Sequence, residues 1–225
     1  MKMLYARFKT AVTCFREDMR GSFMVESVIV IPLLFIGIAA TFEFFEVHRY
    51  KSAREKATYT VADMISREQA VPGAVSQNGL TSTYLDNALV LFDEIARDGG
   101  GNQIRVSIVQ YNLAEDIYEV VWSQVRGDGP PGNNLEPLTT DDTQNDHSRL
   151  PLMDDGEQVI LVESSSLFEP LFGLALDDLI INTRMFTAIR FDPRMCYEGV
   201  CSPPGGTADT SDDDDAANAE GDSST

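Results

Sequence analysis

From Phe23 to Phe45 the chain carries no charge except Glu26 and Glu43. At a rise of ~1.5 Å per residue, a helix over this run reaches roughly 34 Å, enough to cross a bilayer core of about 30 Å. That single feature constrains the fold most: one segment reads as a membrane span, and the rest must fold beside a membrane. Pro32 lies inside the run. It frees the Val28 carbonyl and is expected to bend or loosen the helix there. Gly37, Ala39 and Ala40 form a small-residue patch where another helix can approach closely.

The charge around the run is uneven. Residues 1–21 hold five bases and two acids, a net +3, which leaves −22 for the rest of a chain whose total is −19. A basic leader before an apolar span places the N-terminus in the cytoplasm. Arg49, Lys51, Arg54 and Lys56 after the span weaken that asymmetry without reversing it. The acidic remainder excludes nucleic acid as a partner, because phosphate binding needs clustered Lys and Arg. Within the leader, Leu4, Phe8, Val12 and Phe15 share one helical face flanked by Arg7, Lys9 and Arg16. Such a face can lie on an anionic inner leaflet.

Three readings of the apolar run compete. A secretory signal peptide would use "GIA" before Ala40 as its cleavage site, but Glu26 and Pro32 interrupt its apolar region. An uncleaved anchor is the second. The third rests on spacing: Gly21, four residues, Glu26, then an apolar stretch.

That spacing, in "RGSFMVE" followed by "SVIVIPLLF", resembles the prepilin signal, in which a membrane aspartic protease cuts after the glycine. "VESVIVIPLLFIGIAATFEFF" and the charged helix after it look like the TadE/TadG-like pilus assembly proteins. "RVSIVQY", "VILVESSSLFEPLF" and "FTAIRFDPRMC" resemble that family's later strands and its Pro-Arg ending, so the likeness covers most of residues 20–196. Ser27 stands where the short Flp pilins usually carry Tyr, and this chain is far longer, which argues against a major pilin. The resemblance implies cleavage between Gly21 and Ser22, with Glu26 fifth in the mature chain. Glu26 would then meet the α-ammonium of a neighbouring subunit and set the stagger between helices. In hydrocarbon an unpaired carboxylate is costly, so that pairing would act as a register device. The plainer reading is a carboxylate reaching toward headgroups.

Beyond Phe45 the helix is expected to continue. Val47, Tyr50, Ala53, Ala57, Val61, Met64 and Ile65 recur at helical spacing, and no Gly or Pro intervenes before Pro72. A second helix is expected at 82–97, with Leu85, Ala88, Leu89, Phe92 and Ile95 on one face. "QIRVSIVQY" and "IYEVVWSQV" read as a hairpin, the first alternating Ile104, Val106 and Ile108, the second Tyr118, Val120 and Trp122. "EQVILVESS" and "TRMFTAIRF" read as two more strands, with "FEPLFGLALDD" between them as an apolar turn or short helix. Residues 127–155 are a long polar stretch, of the kind that is usually functional or disordered. The fold class is thus α+β: a long N-terminal helix, half membrane-spanning and half periplasmic, packed on a small antiparallel sheet, as in a pilin-like subunit. The expected organisation is a cleaved leader (1–21), a transmembrane helix (22–46), a periplasmic domain (47–201) and a disordered acidic tail (202–225).

Cys196 and Cys201, in "CYEGVC", can close a small loop in an oxidising compartment. The other reading is two free thiols, and metal binding lacks enough ligands. No catalytic motif stands out. His48 and His147 read as surface residues, Ser164–Ser166 has no placed base, and neither "DDTQNDH" nor Asp212–Asp215 has EF-hand spacing. Trp122 reads as core. The expectation is a structural protein with no enzymatic activity, cofactor or metal: a minor pseudopilin of an Flp-type pilus or Tad secretion apparatus in the bacterial inner membrane. Its partners would be a prepilin peptidase, other pilin or pseudopilin subunits and the inner-membrane pilus platform. The rival is an uncleaved membrane-anchored periplasmic binding or adhesion domain that takes a ligand, a surface or calcium through its acidic loops.

Overall fold

The computed structural model describes residues 20–68, 79–97, 101–173, 176–191 and 194–204, with the side chains of residues 20–23 excepted. The leader over 1–19 and the tail over 205–225, including Asp212–Asp215, lie outside the described residues. The chain divides into two compact units. One comprises residues 1–50 and 168–179, the other residues 51–167 and 180–225.

Helix α1 runs over Arg20–Ser66 and is continuous through Pro32. Its first part belongs to the first unit. Val28, Ile29, Val30 and Ile31 each expose half their surface or more. Four successive positions point in four directions around a helix, so this stretch is apolar on every side, as in a membrane span. One helix near the N-terminus is therefore long and apolar enough to cross a membrane. The first unit also contains Phe168–Gly173, which lies along α1. The Phe168 ring meets Tyr50 at 5.1 Å and the Phe172 ring meets Phe42 at 6.3 Å, both edge-on.

In the second unit, residues 51–66 of α1 pack on a sheet. Ala57, Val61 and Ile65 are fully buried, which is the four-residue spacing read from the sequence. Helix α2 (Ser82–Ala96) buries Leu85, Ala88, Phe92 and Ala96 in the same core. Thr81 caps it, its side chain accepting from the Tyr84 N–H, and Arg97 ends it in the left-handed conformation.

The sheet has four strands, β1 (Asn102–Asn112), β2 (Ile117–Arg126), β3 (Gln158–Phe168) and β4 (Leu179–Ala188), in the spatial order β2-β1-β3-β4. β1 pairs antiparallel with both β2 and β3. Ile104, Val106 and Ile108 face the helices, as the alternation predicts. β2 departs from a simple alternation. Ile108 pairs with Trp122 while Val109 pairs with Val120, so Val121 is an extra residue, a β-bulge. The bulge turns both Val121 and Trp122 toward the helices, whereas Tyr118 joins Val109, Val159 and Leu161 on the opposite face. The Trp122 indole N–H donates to the Met195 carbonyl at 2.8 Å, so this residue is core. β4 begins at Leu179, four residues before the expected strand.

Residues 127–155 are not structureless. They contain helix α3 (Thr140–Asn145) and a 3-10 turn (His147–Arg149). Thr139 and Asp142 form a reciprocal capping box at the start of α3. Leu138, Leu150 and Met153 pack onto the second face of the sheet. Thr143 Oγ1 donates to the Tyr118 carbonyl, and the Val120 N–H donates to Thr140 Oγ1 at 3.1 Å, so α3 lies along the free edge of β2.

The Cys196 and Cys201 sulfurs are joined in a disulfide. The loop it closes is held to residue 80: the Leu80 N–H donates to the Cys196 carbonyl at 2.7 Å, and the Glu198 N–H donates to the Leu80 carbonyl at 3.1 Å.

Candidate functional site

Residues flagged by the sequence gather on the first part of α1. The Gly21–Ser22 peptide lies in its first turn. Their side chains are outside the described residues. Glu26, about one turn further on, is exposed, and among the described residues no hydrogen bond or ion pair reaches it. Gly37 faces open space: nothing lies within 4 Å of where a Cβ would sit. Ala39 differs. It lines an apolar groove with Phe35, Ile36, Ile38, Phe42, Leu171 and Phe172, so the chain's own loop covers part of the small-residue patch.

Glu43 is the residue whose role the sequence did not reveal. It is 1% exposed, and the backbone N–H of Phe172 donates to its Oε1 at 3.0 Å. A carboxylate in an apolar helix is costly unless it has a partner, and here it has a main-chain donor from a distant part of the sequence. The available signals were a carboxylate near the end of the apolar run and a second apolar stretch, "PLFGLAL".

The second unit offers a polar cleft of about 650 Å³ on the second face of the sheet, lined by Arg105, Arg184, Asp142, Asp146, Thr139 and the chain from Asn134 to Leu138. Glu163 sits between the two guanidiniums. It accepts from Arg105 Nε at 2.7 Å and from Arg184 Nε at 2.8 Å, and also pairs with Arg105 Nη2. Arg105 Nη1 donates to the Glu136 carbonyl at 2.7 Å, and both terminal nitrogens of Arg184 donate to Asp146 Oδ2 at 3.1 Å. Burial alone would push the Arg184 guanidinium down, but Glu163 and Asp146 hold it above its ordinary value. Asp142 is held below the ordinary carboxylate range by the Thr139 hydroxyl and then by the Thr139 backbone N–H. Both arginines therefore have anionic partners already, and the cleft presents no free cation for an anionic substrate. Asp142 and Asp146 are likewise engaged, by Thr139 and by Arg184.

Ser164, Ser165 and Ser166 are buried and hydrogen-bonded to interior partners. Ser164 bonds Thr183, Ser165 bonds Asn133, and Ser166 donates to Asn102. They form part of a polar interior seam. His48 is exposed with its ring 4.5 Å from Phe44, and His147 stacks edge-on against Tyr118 at 4.8 Å. In "DDTQNDH", Asp142 caps α3 and Asp146 pairs with Arg184. Among the described residues no three His, Cys, Asp or Glu side chains are grouped to hold a metal ion. Comparison with family models, with curated proteins and with solved structures finds no match to this chain.

Proposed function

We propose that this chain is a TadE/TadG-like minor pseudopilin, a structural subunit in assembly of an Flp-type pilus or Tad secretion apparatus. In this reading it is inserted in a bacterial inner membrane with its N-terminus in the cytoplasm and its sheet domain in the periplasm. A prepilin peptidase cuts between Gly21 and Ser22. The new α-amino group and Glu26 then meet the helices of other pilin or pseudopilin subunits at the membrane platform. The observation that carries the reading is that one helix, Arg20–Ser66, holds both an apolar run of membrane length and the buried positions Ala57, Val61 and Ile65. Joined to the Gly21–Glu26 spacing, this is the arrangement expected of a pilin-like subunit. The exposure of Glu26, with no partner among the described residues, suits a carboxylate that awaits another chain. Mass spectrometry of the protein extracted from membranes tests the reading. A mature N-terminus at Ser22 is expected, and any other N-terminus overturns it.

A further inference from the structure

The first unit holds an arrangement that the proposed function does not use. Phe168–Gly173 descends along α1 from Tyr50 to Phe42, eight residues of helix, or about 12 Å at ~1.5 Å per residue. Counted from Met24, a hydrocarbon core of about 30 Å ends close to Glu43. Phe35, Ile36, Ile38, Ala39 and Phe42, which form the groove with Leu171 and Phe172, therefore sit within the C-terminal half of that core. Tyr50 lies beyond it, at the level where amphipathic rings favour the membrane surface. Leu171 is 75% exposed and Phe172 is 52% exposed, although both are large and apolar.

Two observations identify what covers this surface. The groove is continuous with a helix that is apolar on all sides, from Val28 through Ile38, and an all-round apolar surface calls for an all-round apolar medium. A protein partner would need only one stripe. In hydrocarbon, non-helical backbone survives only where its polar groups have partners inside the protein. Glu43 supplies such a partner to the Phe172 N–H and is buried in doing so.

We infer that Phe168–Gly173 is a second membrane contact of this chain, a loop that places Leu171 and Phe172 among the acyl chains of the leaflet at the C-terminal end of the span, beside α1, with Glu43 holding its backbone. The inference rests on α1 crossing a bilayer and not on cleavage after Gly21. A mature N-terminus other than Ser22 leaves it standing.

The test is quenching of an introduced indole in the full chain, reconstituted into phosphatidylcholine–phosphatidylglycerol vesicles with or without lipids brominated on their acyl chains. Phe172→Trp is compared with the unsubstituted protein, whose one tryptophan, Trp122, is buried. Ile31→Trp reports on the helix itself. At least a twofold loss of the introduced emission in brominated lipid is expected for both variants, with no effect of aqueous iodide. Adding Glu43→Leu to Phe172→Trp should reduce that loss at least twofold, whereas Glu43→Gln should retain it. Iodide quenching without lipid quenching at position 172 places the loop in water and overturns the inference. Protection from both quenchers assigns the groove to a second copy or another protein and overturns it equally. Lack of lipid quenching for Ile31→Trp removes the membrane reading and the inference together. An unchanged signal on adding Glu43→Leu removes Glu43 as the anchor.

Discussion

Thr58 Oγ1 of α1 and Thr183 Oγ1 of β4 lie 2.6 Å apart in a buried seam, and Ser164 Oγ of β3 is 2.6 Å from the same Thr183 oxygen. Thr58 Oγ1 also donates to the Arg54 carbonyl at 2.9 Å, so the seam ties α1 to two strands through hydroxyls. Thr58→Val keeps the volume and removes this oxygen. It should destabilise the sheet domain by about 1–3 kcal/mol, the range for stranding buried polar groups. Urea unfolding of the detergent-solubilised protein measures this. An unchanged midpoint would show that the seam is not stabilising.

Glu163 separates Arg105 from Arg184, and its side chain is only 8% exposed. Glu163→Gln leaves two guanidiniums facing each other without the shared anion. A loss of about 3 kcal/mol is expected, as for a buried ion pair stripped of one partner. A change under about 1 kcal/mol in the same unfolding assay would mean that solvent already screens the network.

The α3 capping box gives a pH dependence. Asp142 has its folded pKa lowered from 3.8 by bonds from Thr139. Its contribution is therefore complete above the unfolded value and is lost as pH falls through the lowered folded value. Thr139→Ala should cost about 1 kcal/mol at neutral pH. It should also return the Asp142 titration, followed by carboxyl NMR, toward the ordinary value. An unmoved titration would separate Asp142 from the cap.

Gly79 adopts φ +143°, and a Cβ there would lie 2.2 Å from the Cys196 carbonyl oxygen. Gly79→Ala must therefore displace the Leu80 bond to that carbonyl and disturb the disulfide loop. Destabilisation of more than about 1 kcal/mol is expected. Faster thiol labelling at Cys196 under mild reductant should accompany it, and labelling at the parent rate would contradict the clash.

Under the proposed pseudopilin role, Glu26→Ala should still yield Ser22 as the mature N-terminus but fail to join the pilus machinery in co-purification from membranes. Normal assembly would defeat the register role, and loss of cleavage would place Glu26 in peptidase recognition instead.

Much of the fold was legible because local pattern and tertiary burial agree. The spacing of Ala57, Val61 and Ile65 and the alternation of Ile104, Val106 and Ile108 both survive into the core. Tyr118, Val120 and Trp122 did not keep one face, because a bulge is set by pairing with β1 and leaves no mark on alternation. β4 starts at Leu179 because Leu179, Ile180 and Ile181 are themselves a β-prone apolar run, which the expected strand left out. In the stretch over 127–155, polar composition masked a local signal, Thr139 followed three residues later by Asp142. Leu138, Leu150 and Met153 supply the apolar contacts that order it. Glu43 was visible only as an interruption. Its partner, Phe172, is 129 residues away, and no periodicity reaches that far.

Helix α3 has six residues, yet it settles what the sheet can do with its neighbours. Its threonines take the Tyr118 carbonyl and the Val120 amide, the two outward-facing groups of the β2 edge at that point. An incoming extended segment finds no ladder to join there. Wherever two copies of the sheet domain meet, such a guard keeps runaway strand stacking from starting at that point of the edge.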